Sequence, residues 1–330
     1  MPSAIVIGGT AGVGRATVTA LRGRGYRVGV VARGKDRLAQ MQDLDGIETA
    51  AADAGDAAAL DAAVDALVER LGTPTVWVNC AMATSFSPFM EMGAEEFDRI
   101  VRTTFMGQVN GTRAALRLMS RGNIVNIGSG LSYRAVPLQS AYVAAKHAIN
   151  GFTSAVRSEV IREGRPIELS LIQLPAINTP QFDWARSRLD KQPQPAPPIF
   201  APEVAARAVL KAIDTDAREI VVGRSVLQLL FGQFALPDMI DHRMATSGVT
   251  AQHSERPAPG MQEGNLFEPV DHPPTAEGSY GHRAESDGLI LDADQTRKAA
   301  FFGLPLLGAA AALALGWTLG SRRARPRRLR

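Results

Sequence analysis

Residues 4–16, AIVIGGTAGVGRA, decide the fold. An apolar run too short for a helix passes straight into a glycine-rich turn and then into helical sequence, so a buried strand feeds a helix through a tight corner. Gly8, Gly12 and Gly14 are spaced GxxxGxG. Glycines so placed allow close backbone approach and leave the helix N-terminus open to a pyrophosphate. Gly8, Thr10, Gly12, Val13 and Gly14 are therefore candidate contacts for a nucleotide.

The same alternation continues outward. Strands are expected at 27–32, 47–52, 75–79, 123–128, 167–174 and 219–222, separated by helices near 36–43, 56–71, 95–119, 139–162 and 202–214. Strands that alternate with helices predict a parallel, doubly wound α/β sheet of Rossmann type with about seven strands. Ligands of such sheets bind at the C-terminal ends of the strands. The end of the second strand reads VVARGK, with Ala32 where an acid would hold a ribose hydroxyl and Arg33 next to it. An arginine there accommodates a 2′-phosphate, so NADP(H) is expected over NAD(H). Asp53, just past the third strand, is placed to reach an adenine edge.

At 138–150, LQSAYVAAKHAIN puts Tyr142 and Lys146 four residues apart on one helix face. An adjacent ammonium favours the phenolate, which predicts a tyrosine able to exchange protons nearer neutral pH. Thirteen residues upstream, IVNIGSG leaves Ser129 at the mouth of a buried strand.

These residues together resemble the short-chain dehydrogenase/reductase family over about residues 3–225, through IGGTAGVG, NCAM at 79–82, Ser129, and Tyr142 with Lys146. The resemblance implies an oxidoreductase that moves a hydride between NADP(H) and a carbonyl/alcohol pair. Ser129, Tyr142 and Lys146 would be catalytic, with Asn79, Ala81, Pro175 and Thr179 added to the cofactor contacts. It also implies dimers or tetramers built through the two long helices. Three departures stand out: Met82 replaces a glycine and should narrow the cavity, the family's helix asparagine aligns with Thr104, and Ala176 follows Pro175. The alternative is a nucleotide-binding, inactive, membrane-tethered regulatory protein.

Met82, Phe86, Phe89, Phe182 and Trp184 lie in segments that flank the site in the family's layout, and suggest an apolar substrate. The helix 226–236 is expected to cover core or a subunit contact. Residues 247–298 read as a flexible linker between a catalytic domain, 1–246, and an anchor, 299–330. Within the anchor, 301–320 is twenty uncharged residues, about 30 Å as a helix and enough to cross a bilayer. Lipid is thus an expected partner, with the catalytic domain on the cytoplasmic side.

Composition narrows the classes further. The net charge of +3 rests on six arginines in the last ten residues, without which it is −3, so the body lacks the basic footprint of a nucleic-acid binder. Cys80 is the single cysteine, which rules out a disulfide framework. No secretory signal is apparent at the start, and no metal-ligating spacing occurs.

Overall fold

A computed structural model describes residues 1–258 and 260–303. Seven of the eight strands of its main sheet lie in parallel register: β1 (Ser3–Ile7), β2 (Arg27–Ala32), β3 (Ile47–Ala51), β4 (Val76–Asn79), β5 (Gly122–Ile127), β6 (Ile167–Gln173) and β7 (Glu219–Val222). Their spatial order is β7-β6-β5-β4-β1-β2-β3, every neighbouring pair parallel. β1 is buried along its whole length, as a strand covered on both faces must be. The order reverses between β1 and β4, which opens the crevice expected of a doubly wound sheet at the strands' C-terminal ends.

The helices cover both faces. On one, α1 (Gly12–Gly23) buries Gly14, Thr17, Val18 and Leu21, and α7 (Pro202–Thr215) buries Val204, Ala205, Ala208, Val209 and Ala212. These are i, i+3, i+4 stripes that lay one apolar face on the sheet. Pro202 in the first turn suits the start of α7, because its missing N–H has no helical acceptor there. α2 (Lys35–Gln42) completes this face through Leu38 and Met41. Opposite lie α3 (Ala57–Leu71), α5 (Gly107–Leu118) and α6 (Ser140–Arg162), packed around Trp77, Leu60, Ala114 and Val160. The Asp56 side chain caps α3 by accepting from the Ala59 N–H at 3.0 Å.

The long helix expected at 95–119 is divided. α4 (Ala94–Val101) and α5 are joined by a π-helical turn, Arg102–Met106, whose Thr103 lines the crevice.

The flexible linker expected at 247–298 is corrected. The compact unit runs from Met1 to Ile290, so residues 247–290 belong to it. His253–Pro257 pairs antiparallel with Lys191–Pro193, Leu266 is fully buried, and Tyr280 is buried with its hydroxyl donating to the Pro193 carbonyl at 3.0 Å. The segment has no helical or strand period because isolated side chains and single backbone hydrogen bonds anchor it. A second unit starts at Leu291, and its described part holds the short helix Ala293–Lys298, capped by the Asp292 carboxylate. Among the described residues no helix is long and apolar enough to cross a membrane. Most of the uncharged run 301–320 lies outside the described residues.

Candidate active site

The loops leaving β1, β2, β4, β5 and β6 line one cavity of about 620 Å³, within the usual range for small-molecule sites. Of the residues singled out in the sequence, Gly8, Thr10, Gly12, Val13, Arg33, Asp53, Ala81, Ser129, Tyr142, Lys146, Pro175 and Thr179 all face it. Gly14 and Asn79 do not.

Gly14 acts by closeness of packing. A Cβ on it would lie 2.1 Å from the Gly8 carbonyl oxygen, so only glycine lets α1 start so close to the turn. The α1 N-terminus then opens the positive end of its dipole onto the crevice, where the Gly12 N–H donates to the Thr275 carbonyl at 2.9 Å. That cradle fits a dinucleotide pyrophosphate.

Asn79 is spent inside the protein. Its side chain is buried, accepts from Trp77 Nε1 at 3.0 Å, and donates to Thr112 Oγ1 at 3.1 Å and Asn126 Oδ1 at 2.8 Å. It braces β4 against β5 and α5 and leaves the cavity wall to Cys80, Ala81 and Met82.

At the adenosine end three cations gather. Arg33 and Arg37 line the cavity, and Arg99 contacts Asp53 at 2.5 Å. Arg37 was missed by sequence reasoning. It stands over the Trp184 ring at 5.2 Å, and its buried Nε has no partner among the described residues. Its one legible signal was position, one helical turn beyond Arg33. Asp53 also accepts from the Gly55 N–H at 2.8 Å, and this bond together with Arg99 outweighs burial and holds its carboxyl below the ordinary value. Arg33 is turned toward the chain's own backbone, and its guanidinium donates to the carbonyls of residues 265–267.

The chemical centre is formed by α6 and the end of β5. Ser129 and Tyr142 face the same cavity, and the serine hydroxyl favours ionisation of the tyrosine. Ser129 Oγ accepts from the Leu131 N–H at 3.1 Å, and the Ser129 N–H donates to Gln173 Oε1 at 2.9 Å. Lys146 Nζ donates to the Ile127 carbonyl at 2.7 Å and sits 5.5 Å from the centre of the Tyr142 ring.

The acidified tyrosine expected from sequence is corrected here. Burial pushes the Tyr142 hydroxyl up, the Ser129 hydroxyl opposing only in part, while burial pulls Lys146 down to about 8. Desolvation disfavours both charged forms at once. Burial likewise pushes the Cys80 thiol up to about 11.

Thr104 stands where the family's asparagine was aligned, but it does not face the cavity. Its buried hydroxyl donates to the Ala83 carbonyl at 2.9 Å and accepts from the Ala83 N–H at 3.0 Å, clamping the loop after β4 onto the π turn. Its neighbour Thr103 does line the cavity, with a buried hydroxyl that has no partner among the described residues. The break in helical period at that turn moves 103, and not 104, into the wall.

Of the aromatic and methionine side chains flagged as a pocket, Met82, Phe86, Phe182 and Trp184 line the cavity, while Phe89 is 64% exposed and does not. α8 (Gly223–Ala235), the helix expected to cover core or a subunit contact, contributes Val226 and Leu229 to the wall. Among the described residues no group of His, Cys, Asp and Glu is placed to hold a metal.

Comparison with known proteins places this geometry. The profile of the short chain dehydrogenase family matches residues 2–189. An uncharacterized oxidoreductase of Bacillus subtilis, YxnA, is 30% identical over 275 residues, which cover 80% of this chain and 77% of that one. A solved short-chain dehydrogenase from Streptomyces avermitilis superposes with a TM-score of 0.63 at 24% identity, covering 76% of this chain and 98% of that one. An actinorhodin polyketide ketoreductase with NADPH gives a TM-score of 0.52 at 29% identity, over 54% of this chain and 72% of that one. With its glycine cradle and nucleotide crevice, the chain belongs to the short-chain dehydrogenase family of oxidoreductases.

Proposed function

We propose that the protein is an NADP(H)-dependent reductase of an apolar carbonyl compound. The observation that carries this reading is that Ser129, Tyr142 and Lys146 line the same cavity as the glycine turn. When bound, the nicotinamide supplies the hydride. Ser129 holds the substrate oxygen, and Tyr142, which burial keeps protonated at neutral pH, donates its proton to that oxygen. Lys146, tied to the Ile127 carbonyl, fixes the polar floor beneath the tyrosine.

The preference for NADP(H) rests on Arg33, Arg37 and Arg99 at the adenosine end, where Asp53 is already paired and a 2′-phosphate would meet surplus positive charge. The NADPH found with the actinorhodin polyketide ketoreductase agrees with it. Apolar substrates are favoured by Phe86, Phe182, Val226 and Leu229 in the wall. The uncharged run 301–320 supports attachment to a membrane, with the catalytic domain on the cytoplasmic side where NADPH is supplied. Truncation after Arg297 should release the protein from the membrane fraction, and its retention there would remove the anchor.

Tyr142→Phe tests the central claim. NADPH oxidation with a panel of apolar ketones should fall by about 10²–10⁴-fold, the usual worth of a positioned acid, with NADPH affinity changed less than about twofold. Retention of most activity would refute the role given to the hydroxyl.

A further inference from the structure

Residues 264–280 cross the same face of the crevice that a dinucleotide would use. At the adenosine end, Arg33 Nη1 donates to the carbonyls of Leu266 at 3.2 Å and Phe267 at 2.8 Å, and Nη2 to that of Asn265 at 2.5 Å. Arg99 Nε donates to the Leu266 carbonyl at 3.1 Å. Further along, the Gly12 N–H, in the turn that opens toward the pyrophosphate position, donates to the Thr275 carbonyl at 2.9 Å. The segment then reaches the nicotinamide end, where a Cβ on Gly278 would lie 2.4 Å from the Thr179 carbonyl oxygen.

Each of these donors is one that a dinucleotide phosphate would recruit, and each is met by a neutral carbonyl. A charged phosphate oxygen makes the stronger hydrogen bond, so the arrangement is displaceable. Tyr280, which is buried, pins the far end, and residues 267–279 are exposed or half-buried, so Leu266 is the buried apolar side chain that the segment gives up on opening.

We propose that residues 265–275 are an internal competitor for the cofactor's phosphate groups, seated on Arg33 and Gly12 in the free protein and displaced when NADP(H) binds. This rests on the NADP(H) reading of the site. Strap and phosphates then exclude one another at those donors, and the measured affinity is the intrinsic one reduced by the fraction of molecules with the strap open.

Gly264 gives access to the strap from outside the cavity. It has φ +62°, and a Cβ there would lie 2.2 Å from the Trp184 carbonyl oxygen, so Gly264→Val in the full chain unseats the segment at its start. Fluorescence titration with NADPH should give a dissociation constant at least about fivefold lower for the variant than for the natural chain, with a smaller change for NADH, which lacks the group Arg33 would hold. In the natural chain, saturating NADPH should speed proteolytic cutting within 268–277, a readout that does not require the variant to fold. Equal NADPH affinity in both proteins, or protection of 268–277 by NADPH, overturns the strap and leaves the cofactor assignment standing. Failure of both nucleotides to bind either protein overturns both.

Discussion

Lys146→Met should make the protein more stable while abolishing its turnover. The lysine is 2% exposed, and burial lowers its pKa from 10.5 to about 8. At about 1.4 kcal/mol per tenfold change, holding the ammonium inside at pH 7 costs about 3 kcal/mol. Against this stands the charged hydrogen bond to the Ile127 carbonyl, worth about 1.5 kcal/mol. Its loss leaves no orphan, because the same oxygen also accepts from Gln108 Nε2 at 2.9 Å. Methionine fills a similar length without charge, so a net gain of about 1–2 kcal/mol is expected, a shift of several degrees in midpoint for a domain of this size. The pH dependence carries the sign. Below pH 8 both folded and unfolded chains hold the proton and the penalty is fully present; between 8 and 10.5 the folded lysine gives it up first, and the penalty is relieved as pH rises. Urea denaturation of both proteins at pH 7 and pH 10 should show the advantage of the variant shrinking at the higher pH. A variant less stable than the natural chain at pH 7, or an advantage that does not change with pH, would refute the desolvation argument.

Asn79→Ala should lower stability by about 3 kcal/mol in chemical denaturation, since Trp77 Nε1, Thr112 and Asn126 lose a buried partner together. If its role is bracing alone, NADPH affinity should hold within about twofold. Thr104→Val keeps the volume and removes both bonds to Ala83, so a loss of about 2 kcal/mol is expected; an unchanged midpoint would show that the clamp contributes nothing. Glu96 lies 3.0 Å from Arg186 and 2.7 Å from Arg188. Burial would raise its carboxyl, but Arg188, Ser85 and Arg186 together bring it below the ordinary 4.5. Its contribution is therefore complete above pH 4.5 and lost as pH falls further, so Glu96→Gln should cost about 2 kcal/mol at pH 7 and progressively less in acid.

Much of the site was legible because its signals are local. The GxxxGxG turn follows a strand, Tyr142 and Lys146 share a helix face, and Ser129 ends a strand; each is a spacing that secondary structure turns directly into geometry. The wall position of Thr103 was not legible, because a π turn shifts the helical period where no proline or glycine announces it. Asn79 was misplaced for a different reason. A family position predicts the backbone site, but whether an amide faces a cavity or a neighbour depends on Trp77, Thr112 and Asn126, the last two of which come from other elements.

The sequence by itself determined the doubly wound sheet, the glycine turn and the elements that carry Ser129, Tyr142 and Lys146, since periodicity and short spacings specify strands, helices and the faces they share. Tertiary structure alone decided which way the tyrosine and lysine titrate, because burial is a property of everything packed around them. It alone seated residues 265–275 on Arg33 and Gly12, because a carbonyl more than 230 positions away in the chain is found by folding and by no pattern in the residues that carry it.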